Sequence, residues 1–388
     1  MAASASAQNA MTSSPYSMFG LGEMASGLYG QNTSMAGVTV GMREGMLMNI
    51  ENPAGLTALD SCKLFAEASA FVKNERYRSD GSSSNAFTGN FSAFSLGGRI
   101  MRRWYMSAGV TPYSFVGYYF KSSQELEGSP GTFVTSTFSG TGGLSKAFLS
   151  QGFSLTKHLS VGMNLNFIFG NMTQNEIQSA MTVSREMSGR SFYADFGLQY
   201  HRPIARETFL TVGAIYGYKQ RISLKNTVTV TGSSTETPYN QKRVTQYLPQ
   251  YIGIGSSLAH KKWTYALDYL FRQYGVLNSS DSRVKFRDSH ELRLGVCYFP
   301  NGFSSSSYWK RMSYKAGVSV STPYLRLKGQ SGGTYRVSVG LGLPVLNGRI
   351  NTAFYYDRLQ LQGNALRRDI MGFTVTYTLS EKLCLMLI

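Results

Sequence analysis

The chain has 388 residues, of which 42% are hydrophobic, 13% aromatic and only 15% charged. No stretch approaches the roughly 18 consecutive apolar residues that a membrane helix needs, which excludes a helical membrane protein. The formal net charge of +17 would suit a nucleic-acid-binding protein, but the chain has no lysine/arginine run and no aromatic RNA platform, so we expect no nucleic acid partner.

Residues 1–7 (MAASASA) lack the basic start and apolar core of a signal peptide. Ala5-Ser6-Ala7 before Gln8 nevertheless has the small-x-small form of a signal-peptidase site. We therefore interpret residues 1–7 as the remnant of an export signal, with an ordinary Ala/Ser tail as the alternative.

Residues 8–58 are rich in Gly and Met and do not alternate cleanly between apolar and polar side chains. A segment so irregular predicts a separate N-terminal region rather than strands, and its apolar side chains need shelter from water. A turn at Asn52-Pro53, with Gly55 just beyond, would lead the chain out of this region.

From residue 59 to residue 379, segments alternate apolar and small or polar side chains at period two, as in residues 158–169 (HLSVGMNLNFIF). A soluble sandwich also alternates, but the Gly-rich polar face and the aromatic face indicate a barrel interior and a lipid contact. The sequence therefore predicts an all-β fold, a transmembrane antiparallel β-barrel of about 14 strands. Residues 8–58, called here the hatch, would lie inside its lumen. The strands are expected near residues 63–76, 90–101, 104–121, 133–148, 158–170, 190–200, 208–230, 250–259, 263–274, 288–299, 312–327, 334–343, 349–360 and 366–379.

The predicted connectors alternate in character along the chain. Those after odd strands are long and polar, such as 79–85, 174–189, 232–242 and 277–288, whereas several after even strands are short and basic. Trp104, Trp263 and Trp309 all lie beside the second kind, as expected for an interfacial aromatic girdle. Long outer loops and short periplasmic turns place the barrel in a Gram-negative outer membrane, with the hatch and a C-terminal extension at residues 380–388 on the periplasmic side. Outer-membrane lipids, including anionic lipopolysaccharide, are the partners expected for the positive charge.

The third predicted strand contains a proline, within residues 109–117 (GVTPYSFVG). Pro112 cannot donate a hydrogen bond to the ladder and is tolerated only at an edge or a bulge. A closed barrel has no edge, so the sequence predicts a break or bulge in the wall. The residues of this predicted wall break are Gly109, Pro112, Tyr113, Phe115 and Gly117.

Six charged side chains fall on predicted inward positions: Asp195, Asp268, Glu291, Arg293, Lys315 and Arg336. Unpaired charges in a crowded lumen are costly. We expect an internal ion-pair network that fills the barrel, with a selectivity filter as the alternative.

Enzymatic function is not expected. The four histidines do not converge with a nucleophile and an orienting group, and Cys62, Cys297 and Cys384 fit neither a ligand spacing nor a disulfide framework. We expect no catalytic residues, no metal and no cofactor.

Residues 35–38 (MAGV) and 51–56 (ENPAGL) carry a family resemblance. The hatch motif, Asn52, Pro53, Ala54 and Gly55, resembles the end of the N-terminal hatch in the long-chain fatty-acid transporter (FadL-type) family, where the hatch folds inside a fourteen-stranded barrel. Residues 14–22, 340–344 and 378–382 are similar to a poorly characterised branch of that family. The third strand of the family carries an inward kink that opens a lateral portal, so the resemblance implies an exit into lipid near Pro112. A bulge at the outer rim with no transport role is the alternative.

The resemblance implies a passive outer-membrane transporter or channel for a hydrophobic or amphipathic, fatty-acid-like small molecule, gated by the hatch. Outer loops would capture the ligand, and hatch rearrangement would open a path to the wall break. Barrels resembling this family also act as closed accessory subunits of secretion machines. The alternative is therefore a plugged barrel that binds a protein partner in an outer-membrane complex.

Overall fold

A computed structural model describes residues 12, 14–25, 30–79, 82–125, 131–178, 181–232, 236–277, 284–300, 307–327, 332–361 and 367–382. The signal remnant expected at residues 1–7 lies outside the described residues, as do residues 383–388 of the expected C-terminal extension.

Strands dominate the described chain. They are β1 (Glu23–Met24), β2 (Lys63–Ser79), β3 (Ser82–Met101), β4 (Trp104–Glu125), β5 (Phe133–Ser154), β6 (Leu159–Gln178), β7 (Met181–Ala205), β8 (Thr208–Gly217), β9 (Gln220–Thr231), β10 (Glu236–Leu248), β11 (Tyr251–His260), β12 (Trp263–Arg272), β13 (Val284–Phe286), β14 (Ser289–Tyr298), β15 (Ser313–Ser321), β16 (Leu325–Leu327), β17 (Gly332–Val345), β18 (Gly348–Leu361) and β19 (Arg367–Lys382). Short 3-10 helices span Pro15–Met18 (η1), Gln31–Met35 (η2), Pro53–Ala58 (η3) and Tyr274–Val276 (η4), and a short α-helix, α1, spans Tyr308–Arg311. None of these helices is long and apolar enough to cross a membrane.

The wall is a closed antiparallel barrel of 14 strands, as the sequence predicts. The last strand, β19, pairs with the first wall strand, β2, from Lys382–Lys63 to Arg367–Arg78, and this pairing closes the sheet. β8 and β9 together form one wall strand, and β10 and β11 form the next. Where the ladder is continuous, the closed sheet has no free edge. The backbone N–H and C=O groups of the strands are therefore hydrogen-bonded to one another within the bilayer.

Side chains along the wall alternate between the two faces. In β6 the side chains of Ser160, Asn164 and Asn166 are buried inside, whereas Phe167 and Phe169 are exposed outside. The outward aromatic and aliphatic residues continue around β12, β14, β17 and β19 as a band. This band is the apolar surface that a barrel presents to lipid.

The wall is much taller on one side than on the other. β5 has 22 residues and β7 has 25, but β12 has 10 and β15 has 9. About 9–11 tilted residues cross a bilayer, so the tall strands project well beyond it.

Because the strands are so long, several connectors predicted from the sequence are wrong. Much of the segments 79–85, 174–189 and 232–242 continues the strands β3, β6, β7 and β10 instead of forming loops, and 277–288 contains β13. Water solvates both faces of the projecting wall, so the apolar alternation is lost although the ladder continues. The last strand also runs to Lys382, which pairs with Lys63, so the C-terminal extension does not begin at residue 380.

The tall wall bends over the outer mouth of the barrel. Gly142 and Gly143 of β5 and Gly170 of β6 lie close together in the ladder and have φ angles of 105°, 149° and 155°, which residues with side chains rarely adopt. Near these glycines, inward side chains from β4, β5, β6, β7, β9 and β10 meet Tyr274, Leu277 and the hatch residue Leu21. These buried residues, called here the outer cluster, are Leu21, Val116, Tyr118, Leu144, Ile168, Met172, Tyr193, Ile222, Leu224, Leu248, Tyr274 and Leu277.

Candidate functional site: the hatch and its seat in the lumen

The hatch lies across the lumen and contacts opposite sides of the wall. η3 packs against β4, β5, β6 and β7, whereas η2 packs against β14, β15, β17 and β18. Met35, Val38, Val40 and Leu56 are fully buried between these contacts. The apolar side chains of this segment are therefore sheltered by the barrel that encloses them.

The hatch motif fixes the end of the hatch to the wall. Asn52 precedes η3, and its side-chain oxygen accepts a hydrogen bond from the Ala54 backbone N–H at 3.2 Å. Its side-chain nitrogen donates to the carbonyl oxygens of Val40 at 2.7 Å and Leu198 at 3.2 Å. Pro53 occupies the first helical position, where a missing N–H costs nothing. Asn52 thus links the hatch to itself and to β7.

Glycines on the inner face of the wall permit this close approach. A Cβ atom at Gly197 would lie 2.1 Å from the Asn52 side-chain oxygen, and one at Gly213 would lie 2.0 Å from the Val40 carbonyl oxygen. No side chain fits at either position without displacing the hatch.

Side chains of the wall form hydrogen bonds with backbone groups of the hatch. The Asp268 carboxylate accepts hydrogen bonds from the N–H groups of Thr39 at 2.7 Å and Val40 at 2.9 Å. Asn164 donates to the carbonyl oxygen of Ile50 at 2.9 Å and to Asp195 at 2.5 Å. Both predicted inward aspartates therefore help to hold the hatch, Asp268 directly and Asp195 through Asn164.

An ion-pair group joins the hatch to β12 and β14. Arg293 contacts Glu51 at 3.1 Å and Glu291 at 2.8 Å, and Arg272 contacts the same two carboxylates at 3.3 Å and 2.7 Å. Thr39 also donates its hydroxyl to Glu51. Burial would raise the pKa of the Glu51 carboxyl, but Arg293 and Arg272 outweigh it and hold that pKa below its ordinary value. Glu51 therefore remains ionised and paired.

A second ion-pair group joins the start of the hatch to β2 and β19. Arg368 contacts Glu23 of β1 and Glu75, each at 2.6 Å, and Lys73 contacts Glu75 at 2.8 Å. Burial again opposes ionisation of Glu23, and the cations Arg368 and Lys73 reverse the effect, so its pKa is lowered. The hatch is therefore held by carboxylates at both ends of its described length.

The remaining predicted lumen charges are also inside the barrel. Arg336 forms a two-pronged pair with Asp357 at 2.6 and 2.7 Å, a geometry that favours guanidinium groups. Lys315 donates to the carbonyl oxygen of Gln31 at 3.5 Å. Arg336 thus pairs within the wall, whereas Lys315 contacts the hatch.

The ladder between β3 and β4 breaks close to Pro112. The last pair is Phe94 with Val110, and β4 has an irregular register between Pro112 and Ser114. Gly109 precedes the break and still pairs with β3, but Phe115 and Gly117 lie beyond it, where β4 is buried on both faces. β4 therefore separates from β3 after Val110 but stays paired with β5 as far as Glu125.

The hatch strand β1 pairs with the edge of β4 that β3 leaves. Glu23 is opposite Phe115 and Met24 is opposite Ser114, and the Ala25 N–H donates to the Tyr113 carbonyl oxygen at 3.0 Å. The N-terminal region, which the sequence predicts to be without strands, thus contributes this short one.

Two small cavities lie between the hatch and the outer cluster in the part of the chain that the structure describes. One of about 180 Å³ is lined mainly by charged and hydroxyl side chains, including Glu23, Lys73 and Arg368. Another, of about 110 Å³, includes Pro112 and Tyr113 in its lining. Pockets for small-molecule ligands are usually about 300–1,000 Å³ and mostly apolar.

The fold and lumen define a closed 14-stranded β-barrel with the FadL-type fold and an internal hatch. A FadL homologue from Pseudomonas aeruginosa superposes with a TM-score of 0.61 at 11% identity over 93% of this chain and 99% of its own. The toluene transporters TbuX of Ralstonia pickettii and TodX of Pseudomonas putida give TM-scores of 0.59 and 0.58 at 14% and 16% identity, over 91% and 92% of this chain and 98% of each of theirs. At such identities the likeness concerns the fold.

Residues 1–382 match the BamG family model, and the chain belongs to the BamG family. No curated protein matches the chain significantly. The expected FadL-type barrel is thus correct as a fold, whereas the branch of the family stays a prediction.

Several residues that hold the hatch were missed in the sequence. Glu23 and Glu51 lie in an irregular segment where no periodicity marks an inward position. The alternation of β2 and β19 already places three other residues inside the barrel: Lys73, Glu75 and Arg368. Their positions in this alternation could have identified them.

Because the hatch lies directly against Gly213, we predict that a larger side chain at this position displaces the hatch. We expect Gly213→Leu to insert into membranes but to conduct ions about tenfold more than the unaltered protein in a planar bilayer, because overpacking forces the hatch away. Gly232→Leu is the matched control, since Gly232 has no heavy atom within 4 Å of an added Cβ. Equal conductance in the two variants would contradict the role of the close contact.

The lowered pKa of Glu51 predicts an acid-sensitive seal. The pairing is complete above the ordinary carboxyl pKa of 4.5 and is lost as the pH falls through the lowered value. Ion conductance should therefore stay low from neutral pH to about 5 and rise only in stronger acid. Glu51→Gln should raise conductance already at pH 7, while Glu176→Gln, on the projecting part of β6, should not. A Glu51→Gln barrel that stays closed at pH 7 would show that this pairing does not hold the hatch.

Proposed function

We propose that this protein is a closed barrel that acts as a structural subunit of an outer-membrane protein complex, with the hatch as a permanent seal. The observation that carries this proposal is the double closure of the lumen, by the seated hatch and by the outer cluster. A conduit for a hydrophobic ligand needs a continuous apolar path, but the space between the closures is divided and charged.

The ion pairs support a permanent seal. Withdrawing the hatch would separate Glu51 and Glu23 from buried cations and expose the backbone groups that Asp268 binds. Removing one partner of a buried charge pair costs about 3–5 kcal/mol, and several such contacts would have to break together. A ligand that gates this barrel would have to replace them.

The projecting wall supplies the surface for a protein partner. Tyr119 of β4, Phe133 of β5 and Tyr239 of β10 are 69%, 64% and 56% exposed on the parts of the wall that rise beyond a bilayer thickness. Aromatic residues are enriched in protein interfaces. We place this surface outside the cell and the hatch and C-terminus on the periplasmic side, because outer-membrane barrels have long extracellular parts and short periplasmic turns.

A second candidate function is hatch-gated transport of a hydrophobic or amphipathic small molecule. The observation that favours it is the separation of β3 from β4 after Val110, which interrupts the ladder of the wall. The structural neighbours TbuX and TodX, described as toluene transporters, have the same fold. In this candidate function, β1 would have to leave β4 before a ligand could pass.

Two measurements on outer membranes separate these functions. We expect the protein to co-purify with a partner in mild detergent, and Tyr119→Ser/Phe133→Ser to lose that partner while Trp309→Ser, at the other end of the barrel, retains it. We also expect no saturable uptake of toluene or a long-chain fatty acid, and no effect of Pro112→Val. Uptake that Pro112→Val abolishes without loss of folding, in a protein that purifies alone, would establish transport and refute the subunit function.

A further inference from the structure

The outer surface of β18, β19 and β2 carries arginines in neighbouring rows. Arg358, Asp369 and Arg76 are directly opposite one another across the three strands, and Arg367 is opposite Arg78 in the next row. All five alternate with buried residues and face outward. Four guanidinium groups thus share one patch with a single carboxylate.

The charges within this arginine patch are unbalanced. Asp369 pairs with both Arg358 at 2.9 Å and Arg367 at 2.8 Å. Within the described residues, no acidic side chain pairs with Arg76 or Arg78. The patch carries a net positive charge, and planar guanidinium groups bind phosphate oxygens through paired hydrogen bonds.

The arginine patch lies where the lipid-facing surface ends. Arg76 is 13 residues after Lys63, the first residue of β2, slightly more than the 9–11 residues that cross a bilayer. Below it on the neighbouring strand β19, Met371 and Phe373 are 55% and 41% exposed. Phosphate groups of membrane lipids occupy this boundary.

On the outer face of β2, a run of small residues begins at Ala70, beyond Asn74 and Val72, and continues into the lipid-facing band. Ala70, Ala68 and Ala66 follow one another on the outer face of β2. Their neighbours across the ladder are bulky on both sides: Phe91, Phe94 and Leu96 on β3, and Val375, Tyr377 and Leu379 on β19. A column of small alanine side chains between two columns of large ones leaves a groove along the lipid-facing surface.

We infer that this surface is a binding site for a phosphorylated membrane lipid, whose phosphate binds Arg76 and Arg78 while an acyl chain lies along Ala70, Ala68 and Ala66. The positive patch complements the phosphate, and the alanine groove complements the chain. A diphosphorylated glycolipid and an anionic glycerophospholipid share this chemistry. The site requires only that the barrel spans a bilayer, so it stands whether or not the lumen conducts.

The test is lipid binding by the detergent-solubilised full chain, measured by native mass spectrometry. The probes are diphosphorylated lipid A, its dephosphorylated form and phosphatidylglycerol. We expect Arg76→Gln/Arg78→Gln to weaken lipid A binding about tenfold, and Arg102→Gln/Arg103→Gln, at the other end of the barrel, to leave it unchanged. Dephosphorylated lipid A should bind as weakly to the unaltered protein as lipid A binds to the first variant.

Two further variants test each half of the site. Asp369→Asn should tighten lipid A binding, because it releases Arg358 and Arg367 from their shared carboxylate. Ala68→Phe should weaken it by filling the groove while the barrel remains heat-resistant on gels. Phosphatidylglycerol binding equal to that of lipid A would assign the site to phosphorylated lipids in general, and weaker binding would assign it to the glycolipid. Equal losses from both arginine pairs, undiminished binding of the dephosphorylated lipid, or weaker binding by Asp369→Asn would overturn the inference.

Discussion

The structure depends on one constraint, that the backbone of the hatch must find hydrogen-bond partners inside a barrel whose own ladder is complete except where β3 and β4 separate. Apart from β1, no part of the described hatch pairs with a strand. A buried N–H or carbonyl group without a hydrogen bond costs about 1–3 kcal/mol. Inward side chains of the wall supply the partners. Asp268 accepts from two hatch N–H groups, and Ser257 donates to the Gly41 carbonyl oxygen at 2.7 Å. Ser338 both accepts from the Ala36 N–H at 2.8 Å and donates to the Ser34 carbonyl oxygen at 3.0 Å.

This constraint explains the composition of the inner face. Short polar side chains reach the hatch backbone where it lies close to the wall, and glycines such as Gly197 and Gly213 allow the closest approach. Arginines of the wall contact the hatch where the hatch supplies a carboxylate, at Glu51 and Glu23. The lumen is therefore polar and filled at the same time, which is the basis for proposing a sealed subunit rather than a conduit.

The sequence predicts the wall better than the hatch. Period-two alternation is strong wherever one face meets lipid, so the strands from Leu159 and from Trp263 begin within a residue of their predicted starts. Alternation ends where β6 and β7 leave the bilayer, which is why residues 174–189 resemble a loop. Pro112 marks the irregular register because its chemistry is local. The contact of Glu51 with Arg293 joins residues far apart in the chain, and no local pattern indicates it.

The central claim, that the hatch is fixed in the lumen as firmly as a part of the wall, is tested most directly by hydrogen–deuterium exchange of the full chain. The Thr39 and Val40 amides donate to Asp268, so the account predicts that the peptide containing them exchanges as slowly as peptides from β12 and β14. Asp268→Asn should accelerate exchange in that peptide alone. Fast exchange of the hatch beside slow exchange of the wall in the unaltered protein would contradict the account, because it would show a hatch that opens while the barrel stays folded.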